Sequence, residues 1–357
     1  MASLLPSSGG AHTPSGTVSG GGQCSPGPGR ADGSPVGTTG SRLSVGRPVF
    51  NAPVGARGYA WWYIDGLSDD GRNAITVIVF LGSVFSPFYF KSRDRSTTTP
   101  YDHCAMNVAL YGCGRGNWSF TEYGRNRVAC HADSLVLGQN RIDWNGQSLT
   151  CGITERAAPI PNSIRGTIRV HPETSTGSTL ALDGPGRHWW QPLIPRARIE
   201  VAMEKPALRW SGTGYVDSNH GCEPLDDGMR CWSWLRAHTS AGTTIIYDVI
   251  PADGSLRSHA LKINRRGDME PFTPPPRVSL PKTGWRIHRE THADFGFVPT
   301  VEATLEDAPF YSRSVLDTQL AGERVKAVHE SLSLERFRSS WVRALLPFRM
   351  RRARRRE

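Results

Sequence analysis

Four side chains in two short stretches carry the equipment for acid–base chemistry on an apolar substrate. The first stretch is Gly214-Tyr215-Val216-Asp217, followed by Ser218-Asn219-His220-Gly221. On an extended chain residues i and i+2 point to the same face, so the Tyr215 phenol and the Asp217 carboxyl can line one pocket. The second is Arg187-His188-Trp189-Trp190-Gln191-Pro192, where the same spacing puts His188 and Trp190 on one face. Together they offer a proton source, a proton acceptor, a π face and a polar clamp. The spacing alone is equally that of a core tyrosine beside a turn carboxylate, with tryptophan as core, and leaves both readings open.

These residues need rigid strands to position them, and the chain supplies strand texture. Asp69-Asp70-Gly71 is a hairpin turn signal, and Ala74–Leu81 reads as a buried strand. Short β-prone runs separated by Gly, Asn, Asp or Pro continue to about residue 310. This regular spacing predicts an all-β protein, sandwich or barrel. From about 46 to 310 the strand-rich chain is long for one barrel, so two are expected, 46–205 and 206–312, joined near Lys205-Pro206. Asp217-Ser218-Asn219 reads as the turn ending its strand. Val315 to Leu334 has Ala321, Val325, Val328 and Leu332 at helical spacing and predicts a helix over 313–335. Residues 1–45, rich in Gly, Ser, Pro and Thr, predict disorder.

Charge is concentrated rather than spread. The net charge is +10, and the segment Arg336–Glu357 holds nine arginines and one glutamate, or +8 of it. A basic face on the folded part is therefore not expected, nor is a specific nucleic-acid partner. Phe337, Trp341, Leu345 and Phe348 interleave with these arginines. That pattern predicts a tail lying on an anionic membrane surface. Seven irregularly spaced cysteines with no CxxC argue against both a disulfide scaffold and a zinc site. Leu4-Leu5 is too short for a signal peptide core, and the run Ile75–Phe85 is too short for a membrane span.

Several stretches carry a family resemblance. They are Gly58–Gly71, Gly82–Pro87 and Asp102–Gly112, then His188-x-Trp190-Gln191-Pro192 and Gly214–Asn219. In this order they resemble the acyclic carotenoid 1,2-hydratases (hydroxyneurosporene synthases) of phototrophic bacteria. The resemblance implies a pair of lipocalin-like antiparallel β-barrels. It also implies addition of water across the terminal 1,2 double bond of lycopene- or neurosporene-type carotenoids, without a cofactor, to give a tertiary 1-hydroxy product. The family's functional residues map onto His188, Trp190, Tyr215 and Asp217. His220 and Cys222 depart from its pattern.

Such hydration needs a proton delivered to C2 and a tertiary cation at C1 captured by water. Asp217 is the expected acid, its pKa raised by apolar burial. Trp190 is expected beside the cation, neutral His188 is expected to orient the incoming water and take its proton, and Tyr215 is expected to hydrogen-bond Asp217 or the water. His220 is expected to titrate close to Asp217. Trp61, Trp62, Tyr63, Phe85 and Phe88 are expected to wall the polyene slot. An insoluble substrate places the enzyme peripherally on the cytoplasmic side of a photosynthetic membrane. The alternatives are a lipocalin-like carotenoid or lipid carrier without chemistry, and a polyene isomerase or cyclase.

Overall fold

The computed structural model describes residues 46–112, 114 and 117–353. The disorder expected for residues 1–45 falls outside them, as do the last residues of the tail. Two large antiparallel sheets dominate.

The first sheet contains β1 (Tyr59–Ser68), β2 (Ala74–Leu81), β3 (Cys104–Tyr111), β4 (Trp118–Tyr123), β5 (Val128–Cys130) and β6 (Ser134–Leu137). It continues with β7 (Asn140–Trp144), β8 (Leu149–Arg156), β9 (Ser163–Thr174), β10 (Leu180–Ala181), β11 (His188–Lys205) and β12 (Leu208–Gly221). The second sheet contains β13 (Met229–His238), β14 (Gly242–Pro251), β15 (Arg257–Asn264) and β16 (Met269–Pro271). After a separate hairpin of β17 (Arg277–Leu280) and β18 (Arg289–His292), it resumes with β19 (Thr300–Asp307), β20 (Tyr311–Leu320) and β21 (Glu323–Ser333). A last strand, β22 (Met350–Arg352), returns to the first sheet and pairs in parallel with β4. The spatial orders are β22-β4-β3-β2-β1-β12-β11-β9-β8-β7-β6-β5, with β10 on β11, and β16-β15-β14-β13-β21-β20-β19.

Period-two alternation explains where the cores lie. On β1, Ala60, Trp62 and Ile64 turn into a core that the first sheet curls around, with Val77, Met106, Leu135, Ile168 and Val216. Trp61 and Tyr63 turn the other way. They meet Phe80, Phe120 and Tyr215 from their own sheet and Trp234, Tyr247, Val328 and Leu332 from the second sheet. The far face of the second sheet packs a third cluster that includes Leu235, Ile246, Leu316 and Ala327. The catalytic candidates sit on the middle layer, between the sheets.

Three expectations are corrected. The division does not fall at Lys205-Pro206, which is the turn of the β11–β12 hairpin; β12 stays in the first sheet to Gly221, and the second sheet begins at Met229. Residues 217–219 do not end a strand, because they lie inside β12 and pair with β1 through Asp217↔Tyr63. The helix expected over 313–335 is the β20–β21 hairpin, turning at Ala321 and Gly322, both with positive φ (55° and 80°). Each of its strands is buried on both faces, Val328 and Leu332 in the middle core and Val325 and Ala327 in the third. Apolar residues on both faces of a strand mimic helical spacing.

Helices are short. After α1 (Pro87–Ser92) and α2 (Leu225–Gly228), the C-terminal ones are α3 (Leu334–Arg338), capped by the Ser333 hydroxyl accepting from the Arg336 amide at 3.2 Å, and α4 (Ser340–Leu345). Of the segment expected to lie on a membrane surface, the described part, residues 336–353, packs against the fold. Phe337, Val342, Leu346 and Met350 are buried, and Trp341, Leu345 and Phe348 face outward. β22 covers the β4 edge that would otherwise be open.

Candidate active site

A cavity of about 350 Å³ lies between the outward face of β1–β4 and β12, the facing side of the second sheet, and the C-terminal segment. Its walls are mostly aromatic: Trp61, Tyr63, Phe80, Phe85, Trp118, Phe120, Trp232, Trp234, Tyr247, Phe310 and Tyr311. Carboxyl groups reach it from three strands, Asp217 on β12, Glu306 on β19 and Glu330 on β21.

Asp217 is buried, and its two oxygens have different surroundings. Oδ2 accepts hydrogen bonds from Trp190 Nε1 and from the Tyr215 hydroxyl, both at 2.9 Å. Oδ1 is buried and, among the described residues, has no hydrogen-bond partner. Burial pushes the Asp217 pKa up to about 7; the two hydrogen bonds oppose this, and the negative charges of Glu330 and Asp65 add to it. With Oδ2 occupied by two donors, the proton of the neutral acid belongs on Oδ1.

The pairing of Tyr215 with Asp217 and of His188 with Trp190 on common faces follows from the alternation of β12 and β11. The structure joins three of the four residues directly. His188 stands apart and does not line the cavity. Its Nδ1 is 2.9 Å from the Tyr59 hydroxyl and its Nε2 is 3.1 Å from Glu223 Oε1. Burial lowers its pKa, against the pull of Asp183 and Glu223. Trp190 is fully buried, with its ring edge-on to Tyr247 at 5.4 Å, and lies behind the cavity wall rather than on it. Its contact with the site is the indole N–H. His220 is not beside Asp217: it is exposed on the opposite face of β12, stacked on Trp189 at 6.4 Å.

Of the expected slot residues, Trp61, Tyr63 and Phe85 line the cavity. Trp62 does not, because the pleat sends it into the first sheet's own core. Phe88 does not either; it lies on α1 with the Arg352 guanidinium 6.0 Å from its ring centre.

Several site residues were missed. Asn219 was open to the same i+2 argument that paired Tyr215 with Asp217; it lines the cavity near the Tyr247 hydroxyl, and its amide nitrogen makes no hydrogen bond of normal geometry. Glu330, Trp234 and Tyr247 arrive from the second sheet, and no local spacing pointed to them. Glu330 accepts from the Tyr63 hydroxyl at 2.8 Å and is ion-paired with Arg313, which also meets Asp65 at 2.8 Å. Among the described residues no group of three or more His, Cys, Asp or Glu side chains is arranged to hold a metal.

Comparison with known proteins shows the family. The profile of the family Carotenoid hydratase CrtC matches residues 77–357. The chain is 48% identical over 351 residues to the acyclic carotenoid 1,2-hydratase of Thiocapsa roseopersicina, spanning 98% of this chain and 87% of that protein. It is 44% identical over 310 residues to the protein of the same name from Rubrivivax gelatinosus, spanning 85% and 76%. A solved structure of an AttH protein from Nitrosomonas europaea shares the fold, with a TM-score of 0.52 at 13% identity over 76% of this chain and 91% of that one. The chain belongs to the carotenoid hydratase family.

Proposed function

We propose that the protein adds water across the terminal 1,2 double bond of acyclic carotenoids, giving the tertiary 1-hydroxy product without a cofactor. The observation that carries this reading is the asymmetry of Asp217. A carboxyl protonated near neutral pH, with one oxygen clamped and the other free in an aromatic cavity, is suited to protonate an alkene that offers no other handle. Protonation at C2 leaves the tertiary cation at C1, and water captures it.

Tyr215 and Trp190 act as positioning residues that hold Oδ2. The rings that stabilise the cation are those on the cavity surface near Asp217, Trp234 and Tyr247, rather than Trp190. His188, with both ring nitrogens engaged, positions Tyr59, which stacks on the wall residue Trp61 at 5.0 Å. Trp61, Tyr63 and Phe85 contact the polyene end.

A cavity of about 350 Å³ accepts only an end of so long a hydrocarbon. Four residues that line or flank it are exposed apolar groups, Trp285, Trp341, Leu345 and Phe348, and the Arg336 guanidinium lies over the Trp341 ring and donates to the Trp285 carbonyl at 2.9 Å. This rim, with Arg336–Glu357, rests on an anionic lipid surface on the cytoplasmic side of the membrane and draws the substrate from the bilayer. Co-flotation with phosphatidylglycerol vesicles, lost in pure phosphatidylcholine and in a Trp341→Ser, Phe348→Ser variant, tests the rim; equal flotation of all three removes it.

The function itself is tested with purified protein and lycopene in liposomes made in oxygen-labelled water. Labelled 1-hydroxy product is expected. Tight binding of lycopene with no product would indicate a carrier, and rearranged carotenoid without label an isomerase or cyclase.

A further inference from the structure

Resting on the hydration reading, we infer that Glu330 is the base that takes the proton from the attacking water. Hydration requires two proton transfers; Asp217 supplies the first, and His188, expected to take the second, lies off the cavity with both ring nitrogens engaged. Glu330 lies on β21, across the cavity from Asp217 on β12. The two are nevertheless linked at one end of it. Tyr63 is the β1 register partner of Asp217, so their side chains are same-face neighbours, and the Tyr63 hydroxyl donates to Glu330 Oε1 at 2.8 Å. Trp234, the β13 register partner of Glu330, has its ring 5.3 Å from that of Tyr215.

The two carboxyls differ in what holds them. Among the described residues the donors to Asp217 are neutral, whereas Glu330 has the fully buried Arg313 guanidinium against it. Among the described residues both hydrogen bonds to Glu330 fall on Oε1, which leaves Oε2 for a ligand. Glu306, the third cavity carboxyl, is ill suited to the role, since burial favours its neutral form and Tyr111 holds it at 3.1 Å.

The protons balance as follows. The Asp217 O–H bond breaks and the alkene π pair takes its proton at C2. A water lone pair then forms the C1–O bond, and an O–H bond of the resulting oxonium breaks to Glu330. The proton returns from Glu330 to the Asp217 carboxylate through cavity water, so alkene plus water becomes alcohol and both side chains are restored.

The test compares wild type, Glu330→Gln and Asp217→Asn with lycopene in deuterated water. Wild type is expected to yield alcohol deuterated at C2. Glu330→Gln is expected to yield at least about 100-fold less alcohol, yet to return substrate deuterated at C2, because the cation forms and collapses back. Asp217→Asn should give neither. Alcohol from Glu330→Gln within about threefold of wild type overturns the assignment. A folded Glu330→Gln that neither hydrates nor exchanges also overturns it, since Glu330 would then be needed before water arrives. Should Glu330→Gln not fold, Arg313→Met with Glu330→Gln removes both charges together, and the same two readouts decide on that protein. No alcohol from wild type counts against hydration itself rather than against Glu330.

Discussion

Asp65 and Asp217 lie on neighbouring strands, in the same buried layer, and are held in opposite states. Asp65 pairs with Tyr215 in the β1–β12 register, and Asp217 pairs with Tyr63. Burial pushes both pKa values up, and for both it is the largest single influence. At Asp65 the Arg236 and Arg313 guanidiniums, at 2.6 and 2.8 Å, together outweigh it and hold the group below 3.8. At Asp217 the donors are an indole and a phenol, which carry no charge, and the value settles at about 7. Desolvation is thus shared by the whole layer, and the charge of the partner selects which carboxyl is a structural ion and which an acid. One layer keeps the cavity assembled with the first and reactive with the second.

Asp217→Asn should separate these two roles most sharply. Carotenoid hydration is expected to fall by about 10³-fold or more, read as product by chromatography with the fold checked by near-ultraviolet circular dichroism. Stability should move the other way. The folded value of Asp217 is above its unfolded 3.8, so its contribution is full below about pH 4 and is lost as pH rises through about 7. Above that, holding the carboxylate in place costs up to about 4 kcal/mol at 1.36 kcal/mol per unit, and Asn removes this term. Denaturant unfolding at pH 8 should find the inactive variant more stable than wild type, and the gain should vanish by pH 4. Equal stability at both pH values would mean that Asp217 is not held neutral.

Asp65 carries the opposite sign. Its folded value is below 3.8, so its stabilisation is present at neutral pH and is lost as pH falls through that folded value. Arg313→Met leaves Glu330 without its ion pair and Asp65 with only one. Breaking a buried pair from one side destabilises by about 3–5 kcal/mol, and urea unfolding at pH 7 should show a loss of that order. A loss under about 1 kcal/mol, the range of an exposed pair, would mean that the network is solvated and does not hold the sheets together.

The contrast also marks how much the sequence disclosed. Within one strand the pleat is readable, which is why Tyr215 and Asp217, and His188 and Trp190, were placed on common faces. The same rule, applied to Trp61 and Trp62, already separates a cavity wall from a core residue. What spacing cannot convey is the partner across a layer. Glu330, Trp234 and Arg313 reach the site from strands that only the three-dimensional pairing brings opposite β1 and β12. The β20–β21 hairpin was concealed for a related reason: with a core on each side, its strands lack the polar alternation that distinguishes a strand from a helix. Gly322, at the turn, was the local signal against a continuous helix.

The smallest expected effect is the finest test of why Asp217 differs from Asp65. Tyr215→Phe deletes one neutral donor from Oδ2 and nothing else. That hydrogen bond favours the carboxylate, so its loss should raise the Asp217 value further, by about one unit if the bond to the charged form is worth 1.5 kcal/mol or so. The active form is the protonated one, so the alkaline limb of hydration should move up by the same amount. Turnover on the acid plateau should fall by about tenfold, because a weaker acid transfers its proton less readily and its carboxyl is less firmly aimed. A purely structural Tyr215 would lower the plateau and leave the limb where it was. A limb that moved down would show that the titrating group is not Asp217, and the difference between the two aspartates would then lie outside the reaction.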